Sequence, residues 1–208
     1  MAWRWNPDAY RYYNEDNGQF IKFEVVMSFV DQSILGSHNA METMGYMVSD
    51  GMLSPMDWHQ GMRAEIKREY IRQYILGIGG LDQMTQADWG SIGGMLKEQY
   101  GWLNGFTDQL GELSEKQIIA RSAMYSNSAR EAFERAHSRT AAKWGADEEL
   151  WVLDPAADNC PDCVELSLMG WQPIDTFKFP GQGATQCLTN CKCSKIYRNS
   201  VTGEEWEQ

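Results

Sequence analysis

All five cysteines of this 208-residue chain fall between positions 160 and 193. They form two groups, Cys160-Pro161-Asp162-Cys163 and Cys187-Leu188-Thr189-Asn190-Cys191-Lys192-Cys193. A C-x-x-C pair facing a C-x-x-x-C-x-C group across about two dozen residues has the spacing of a metal-held module. The surrounding stretch, residues 147–198, is built from turn residues and short extended runs with few large apolar side chains beyond its tryptophans. Such a segment buries too little surface to hold itself together, so a staple is expected. Thiolate-bound zinc supplies folding energy directly. Four thiolates close a tetrahedral shell and leave one over. The expected ligands are Cys160, Cys163 and Cys187, with Cys191 or Cys193 as the fourth, because two residues two apart on a strand point the same way. One or two disulfides are the alternative.

The start of the chain, Met1-Ala-Trp-Arg-Trp-Asn-Pro-Asp, lacks a basic stretch followed by an apolar core and does not read as a secretory signal. No apolar run approaches the roughly 18 to 20 residues of a membrane helix. Folding in a cytosol is the expectation, and there clustered cysteines favour metal over disulfide. The formal charge of −11 weighs against wrapping DNA, which needs clustered Lys and Arg to displace counterions. Lys192, Lys195 and Arg198 are nevertheless a candidate basic strip for nucleic-acid contact beside the cysteines.

The expected fold is mainly α: an elongated helical body followed by the small zinc-stapled module of short β-strands and loops. Residues 1–17 form an aromatic arm with no clean period, either docked or loose. Residues 18–146 form the helical body. Apolar residues at steps of three and four from Phe20 to Met47 predict an amphipathic helix, with a break near Gly36. Ser54-Pro55-Met56-Asp57 opens a second helix that stops at Gly77-Ile78-Gly79-Gly80, and Thr85-Gln86-Ala87-Asp88 opens a third. Gly90, Gly93, Gly94 and Gly101 weaken that third helix, and close packing of another helix on its bare backbone is the expected compensation. Ser114-Glu115-Lys116-Gln117 is a capping box. The chain then runs without Gly or Pro to about Lys143, which predicts one helix over 114–144 of roughly 45 Å. Glu65, Glu69, Glu131 and Glu134 read as solvated helix faces paired with Arg and Lys neighbours. Phe177-Lys178-Phe179 reads as a short extended piece, and residues 199–208 as a loose acidic tail.

Catalytic patterns are weak. His38, His59 and His137 sit on helices far from the cysteines, so an open catalytic metal site is not expected. No G-x-S-x-G turn is present, and the glycines are not followed by the Gly-Lys-Ser/Thr of a phosphate loop. No enzyme is expected.

One set of motifs carries a family resemblance. Trp151-Val152-Leu153-Asp154-Pro155, Cys160-x-x-Cys163, Gly170-Trp171-Gln172-Pro173, Pro180-Gly181 and Thr185-Gln186-Cys187-x-x-Asn190-Cys191-Lys192-Cys193 together resemble the C-terminal signature of tailed-phage minor head proteins, the Mu F-like head morphogenesis family. In that pattern a His or Cys precedes Asn-Cys-Arg-Cys; Cys187 takes the first place here and Lys192 replaces the Arg. Gly79-Gly80, Leu113-Ser-x-x-Gln117-Ile118 and Arg121-Ser-x-x-Tyr125 are similar to the upstream part of the same group. The resemblance spans about residues 18 to 198. It implies a non-enzymatic structural protein assembled in the host cytoplasm, present in the virion head near the portal vertex in multiple copies. Its implied partners are the portal protein and the major capsid or scaffolding protein. Some members carry a fused C-terminal toxin or transferase domain, which is not expected here. A zinc-ribbon-type adaptor that contacts phage DNA during packaging or ejection is the alternative.

Overall fold

The computed structural model describes residues 3–9 and 11–206. Helices dominate. Helix α1 spans Phe23–Ser49, α2 Pro55–Ile78, α3 Gln86–Gln109, α4 Glu115–Asn127 and α5 Arg130–Lys143. A short α6, Pro161–Leu168, lies in the cysteine module. The N-terminal strands β1 (Trp3–Asn6), β2 (Arg11–Asn14) and β3 (Phe20–Ile21) form an antiparallel sheet. In the second sheet, β4 (Glu148–Val152), β5 (Gln172–Pro173), β6 (Ser194–Arg198) and β7 (Glu205–Trp206) take the order β5-β4-β6-β7, all antiparallel. Among the described residues, no helix is long and apolar enough to cross a membrane.

The helix starts follow their caps. Ser54 accepts from the Asp57 N–H with Pro55 at the first position, and Thr85 with Asp88 forms a reciprocal capping box at α3. Gly79, at φ 88°, ends α2 in the left-handed conformation open to glycine at little cost. Helix α1 runs unbroken through Gly36 and starts after Phe20, which belongs to β3.

The single helix expected over 114–144 is two helices. Ser126, Asn127 and Ser128 stand in sequence at the junction, and Ser126 and Ser128 donate through Oγ to the carbonyls of Ala123 (2.7 Å) and Tyr125 (2.8 Å). These local bonds compete with the helical ladder, and the chain turns at Ser128–Ala129. The turn has a structural consequence: α4 packs along α1, whereas α5 packs along α2.

Helix α5 approaches α2 closely because its facing residues are Ala132 and Ala136, both fully buried, and because Gly77 has no side chain. A Cβ on Gly77 would stand 2.3 Å from the Phe133 carbonyl oxygen. Gly77→Ala is expected to lower stability by about 2 kcal/mol despite alanine's better helix propensity. Gly90→Ala, where a Cβ meets nothing within 4 Å, is expected to raise it by up to about 1 kcal/mol. Urea unfolding of the two variants side by side checks the contrast.

Gly90, Gly93, Gly94 and Gly101 are all open in this way, so the expected helix against the bare face of α3 is absent among the described residues. The backbone contact occurs elsewhere, at Gly45 of α1, where a Cβ would stand 3.0 Å from the Ile119 Cα of α4.

The aromatic arm is ordered and docked over its described part. Trp5 and Tyr12 are buried, the Trp5 backbone N–H donates to the Gly79 carbonyl (3.1 Å), and the Tyr12 hydroxyl donates to the Leu76 carbonyl (2.9 Å). Tyr10, counted in the arm from sequence, lies outside the described residues. The acidic tail is also partly structured: Glu205–Trp206 pairs with β6 and Trp206 is 1% exposed. Phe177–Phe179 is not a strand; Phe177 is buried and its N–H donates to Glu149 Oε1 (2.6 Å). A single apolar cluster joins Trp5, Tyr12, Val26, Val30, Phe133, Tyr197 and Trp206. Residues 147–198 are thus welded to the helical body rather than appended to it.

The four glutamates expected in solvent are buried. Glu69 accepts from Ser33 (2.7 Å) and Gln73 (2.7 Å), and Glu65 accepts from Ser37 (2.8 Å), which ties α1 to α2. Glu131 pairs with Arg135 at 2.6 Å. Glu134 differs, since it is fully buried and, among the described residues, neither of its oxygens has a side-chain hydrogen-bond donor. Burial pushes its pKa up to about 7, against the opposing pull of His137, Arg130, Lys195 and the Lys195 N–H. The folded protein therefore holds a proton here that the unfolded chain releases near 4.5. Stability from this group is complete below that value and is lost as pH rises towards 7, by on the order of 3 kcal/mol. Glu134→Gln is expected to raise the melting temperature at pH 8 and to leave it nearly unchanged at pH 4.5; calorimetry at both values tests the sign.

Candidate metal centre

Strand β4 leads into a turn that presents the first cysteine pair. Asp154 Oδ1 accepts from the Ala156 N–H (2.8 Å), and Asn159 Nδ2 donates to the Asp154 carbonyl (2.9 Å). This local bonding sets Cys160 at the N-cap of α6, with Pro161 next to it. Cys163 then falls on the inner side of the first turn, 1% exposed. The second group arrives on the loop before β6. Asp162 holds the two groups together by accepting from the Gln186 N–H (2.8 Å) and Gln186 Nε2 (3.0 Å). Thr185 Oγ1 lies 3.1 Å from Cys187 Sγ. Leu188, at φ 51°, turns the chain so that Cys191 and Cys193 face inward, each 2% exposed.

All five expected cysteines converge as free thiols. Their sulfurs form two triads, Cys160–Cys163–Cys187 and Cys163–Cys191–Cys193, each with its members within 4.8 Å of one another. Cys163 belongs to both. Its sulfur is 3.7 Å from that of Cys187 and 3.7 Å from that of Cys191. A disulfide needs about 2.05 Å. A tetrahedral ion with bonds of about 2.3 Å to sulfur places its sulfurs roughly 3.8 Å apart, which these two edges meet. Cys193 Sγ instead points to Asn159 Oδ1 at 3.5 Å.

The thiols sit in unequal electrostatic settings. Burial raises the Cys163 thiol well above its ordinary value, and the neighbouring Cys193 raises Cys191 in the same direction. The hydrogen bond from Cys191 holds Cys193 down, at about 6. Burial opposes ionisation of Cys160, yet the N–H groups of Cys163 and Cys187 outweigh it and lower its thiol. Several thiolates this close repel one another, and a bound divalent ion removes that repulsion. None of the three histidines joins either triad. His59 Nε2 instead lies 2.9 Å from Asn104 Oδ1, and His137 is buried among the rings of Trp5, Phe23, Phe133 and Tyr197.

Of the basic strip expected beside the cysteines, Lys195 is buried, while Lys192 and Arg198 keep side-chain surface and each lies near a carboxylate. Lys195 is 0% exposed, with its Nζ 2.7 Å from Glu149 Oε2 and 4.2 Å from the Phe179 ring centre. Arg198 binds Glu148 at 2.6 Å and covers the Trp171 ring. Lys192 reaches Asp31 at 3.8 Å. Each cation already faces a carboxylate, because β6 pairs with the acidic strand β4 and borders α1. The alternation Glu148, Glu149 against Lys195, Arg198 is visible in the sequence, but its cross-strand register is not.

No family model, curated protein or solved structure matches this chain.

Proposed function

We propose that the protein is a structural minor head protein of a tailed phage. In this reading it binds the portal or neighbouring head proteins during assembly, and a zinc ion staples its C-terminal module. The support is the five-cysteine signature, in which separate sequence motifs meet around Cys163 in two sulfur triads, with two edges of 3.7 Å that match those of a tetrahedral thiolate shell. Cys160, Cys163, Cys187 and Cys191 are the proposed ligands, and Cys193 is the fifth thiol. A sulfur-only shell leaves no open coordination position for a substrate, so the ion's role is to hold structure. The helical body, with its long exposed α-helical faces, supplies the assembly contacts.

Copurification with the cognate portal protein, with metal measured on the same sample, tests both halves. The expected result is a stable complex containing one zinc per chain. No association together with no metal would overturn the reading. The DNA-adaptor alternative has less support, because Lys192, Lys195 and Arg198 are paired with acids.

A further inference from the structure

In a chain of net charge −11, one groove carries unpaired cations. It runs between α2 and α3 and encloses about 720 Å³. Arg63, Lys67 and Lys97 line it, no Asp or Glu does, and none of the three makes an ion pair among the described residues. Arg63 is stacked over Tyr100 at 3.8 Å, which fixes one wall. On the floor, Gly93 and Gly101 leave open space where a Cβ would stand, so an incoming element can reach the helix backbone.

The same molecule carries the complement elsewhere. Helix α6 shows solvent an apolar ridge one turn apart, Val164 (39% exposed) and Leu168 (81% exposed). Glu165, exposed and without an ion pair among the described residues, stands beside the ridge. Cys163, on the opposite side, anchors the helix in the cysteine cluster. Lengths agree too. Eight residues of α6 span about 12 Å, and the groove floor from Gly93 to Asn104 about 17 Å.

We infer that the α2–α3 groove of one copy receives α6 of a second copy, with Val164 and Leu168 on the bare floor and Glu165 between Lys67 and Lys97. The two surfaces are different, so the contact is head-to-tail and propagates into a ring or a filament rather than a two-fold dimer. The inference goes beyond portal binding. It rests on the metal reading only in that the ion holds α6 in place.

Sedimentation of the metal-replete full chain tests it. Wild type is expected to show reversible association that grows with concentration. Lys97→Glu and Glu165→Lys are each expected to weaken it roughly tenfold or more, by placing like charges at the contact. Both side chains are exposed, so melting temperatures stay at the wild-type value and separate a lost contact from a lost fold. The decisive sample is an equimolar mixture of the two variants. Its groove-intact copies can take the unaltered α6 of the others, so the mixture associates more strongly than either variant alone. A wild type that is monomeric to near-millimolar concentration, variants that associate as wild type does, or a mixture that stays monomeric would each overturn the inference. Binding of a DNA duplex in the groove of a monomeric chain would overturn it as well. If association fails while one zinc per chain and portal binding persist, the functional reading survives and only this contact is lost.

Discussion

Cys163→Ser is expected to abolish stoichiometric metal binding and to unfold the C-terminal module, at a cost on the order of 5 kcal/mol or more. Cys163 is the only cysteine in both sulfur triads, and it lies 3.7 Å from Cys187 and from Cys191. A serine hydroxyl cannot replace a buried thiolate in either set. The effect should spread past residue 198, because Tyr197 and Trp206 are packed with Phe133 and Trp5 in one core. Elemental analysis and circular dichroism melts read the two consequences separately. Chelation of the wild type should reproduce the melt. Cys193→Ser is the discriminating control: its sulfur faces Asn159, so one metal per chain is expected to remain. Retention of full metal by Cys163→Ser would remove the proposed ligand set.

Lys195→Met is expected to destabilise the protein by about 3 to 5 kcal/mol, the range for stranding one member of a buried ion pair. Glu149 is 0% exposed, and its Oε1 already accepts from the Phe177 N–H, so it cannot turn towards water. The double variant Glu149→Gln/Lys195→Met should recover a large part of the loss. The substituted amide is neutral, and its side-chain carbonyl can still accept from the Phe177 N–H. Urea unfolding of the two singles and the double gives the coupling. A single variant within about 1 kcal/mol of wild type would show that the pair is more hydrated than its geometry implies.

Both experiments address the same design. The module's small core, with Trp151, Phe177 and the buried cysteines, is too limited to stand alone. It is held from inside by the sulfur cluster and from outside by β6 and β7 against α5. An oligomer built through α6 would inherit that dependence, since the helix begins at Cys160 and turns about Cys163.

Local chemistry made much of this legible in the one-dimensional chain. The caps at Ser54, Thr85 and Ser114 and the stop at Gly79 depend on neighbours within a few residues, and each lies where the sequence places it. The convergence of the cysteines was legible from the spacing within each group, C-x-x-C and C-x-x-x-C-x-C. Tertiary structure decided what depends on contacts across the chain. The junction at Ser126–Ala129 carries no Gly or Pro, and its turn, marked only by the serine bonds at Ser126 and Ser128, sends α4 along α1 and α5 along α2. Glu65, Glu69 and Glu134 look like surface residues until Ser33, Ser37 and the C-terminal sheet cover them. In the strip of Lys192, Lys195 and Arg198, only Lys195 is buried, and each cation faces an acid from another element that the one-dimensional chain does not place beside it. The sequence alone, then, determined the mainly helical class, the capped helix starts and the clustering of the cysteines, through interactions of short range. Which charges are buried, and which helix face stays bare, was settled only by packing, because burial belongs to pairs of elements and not to either one.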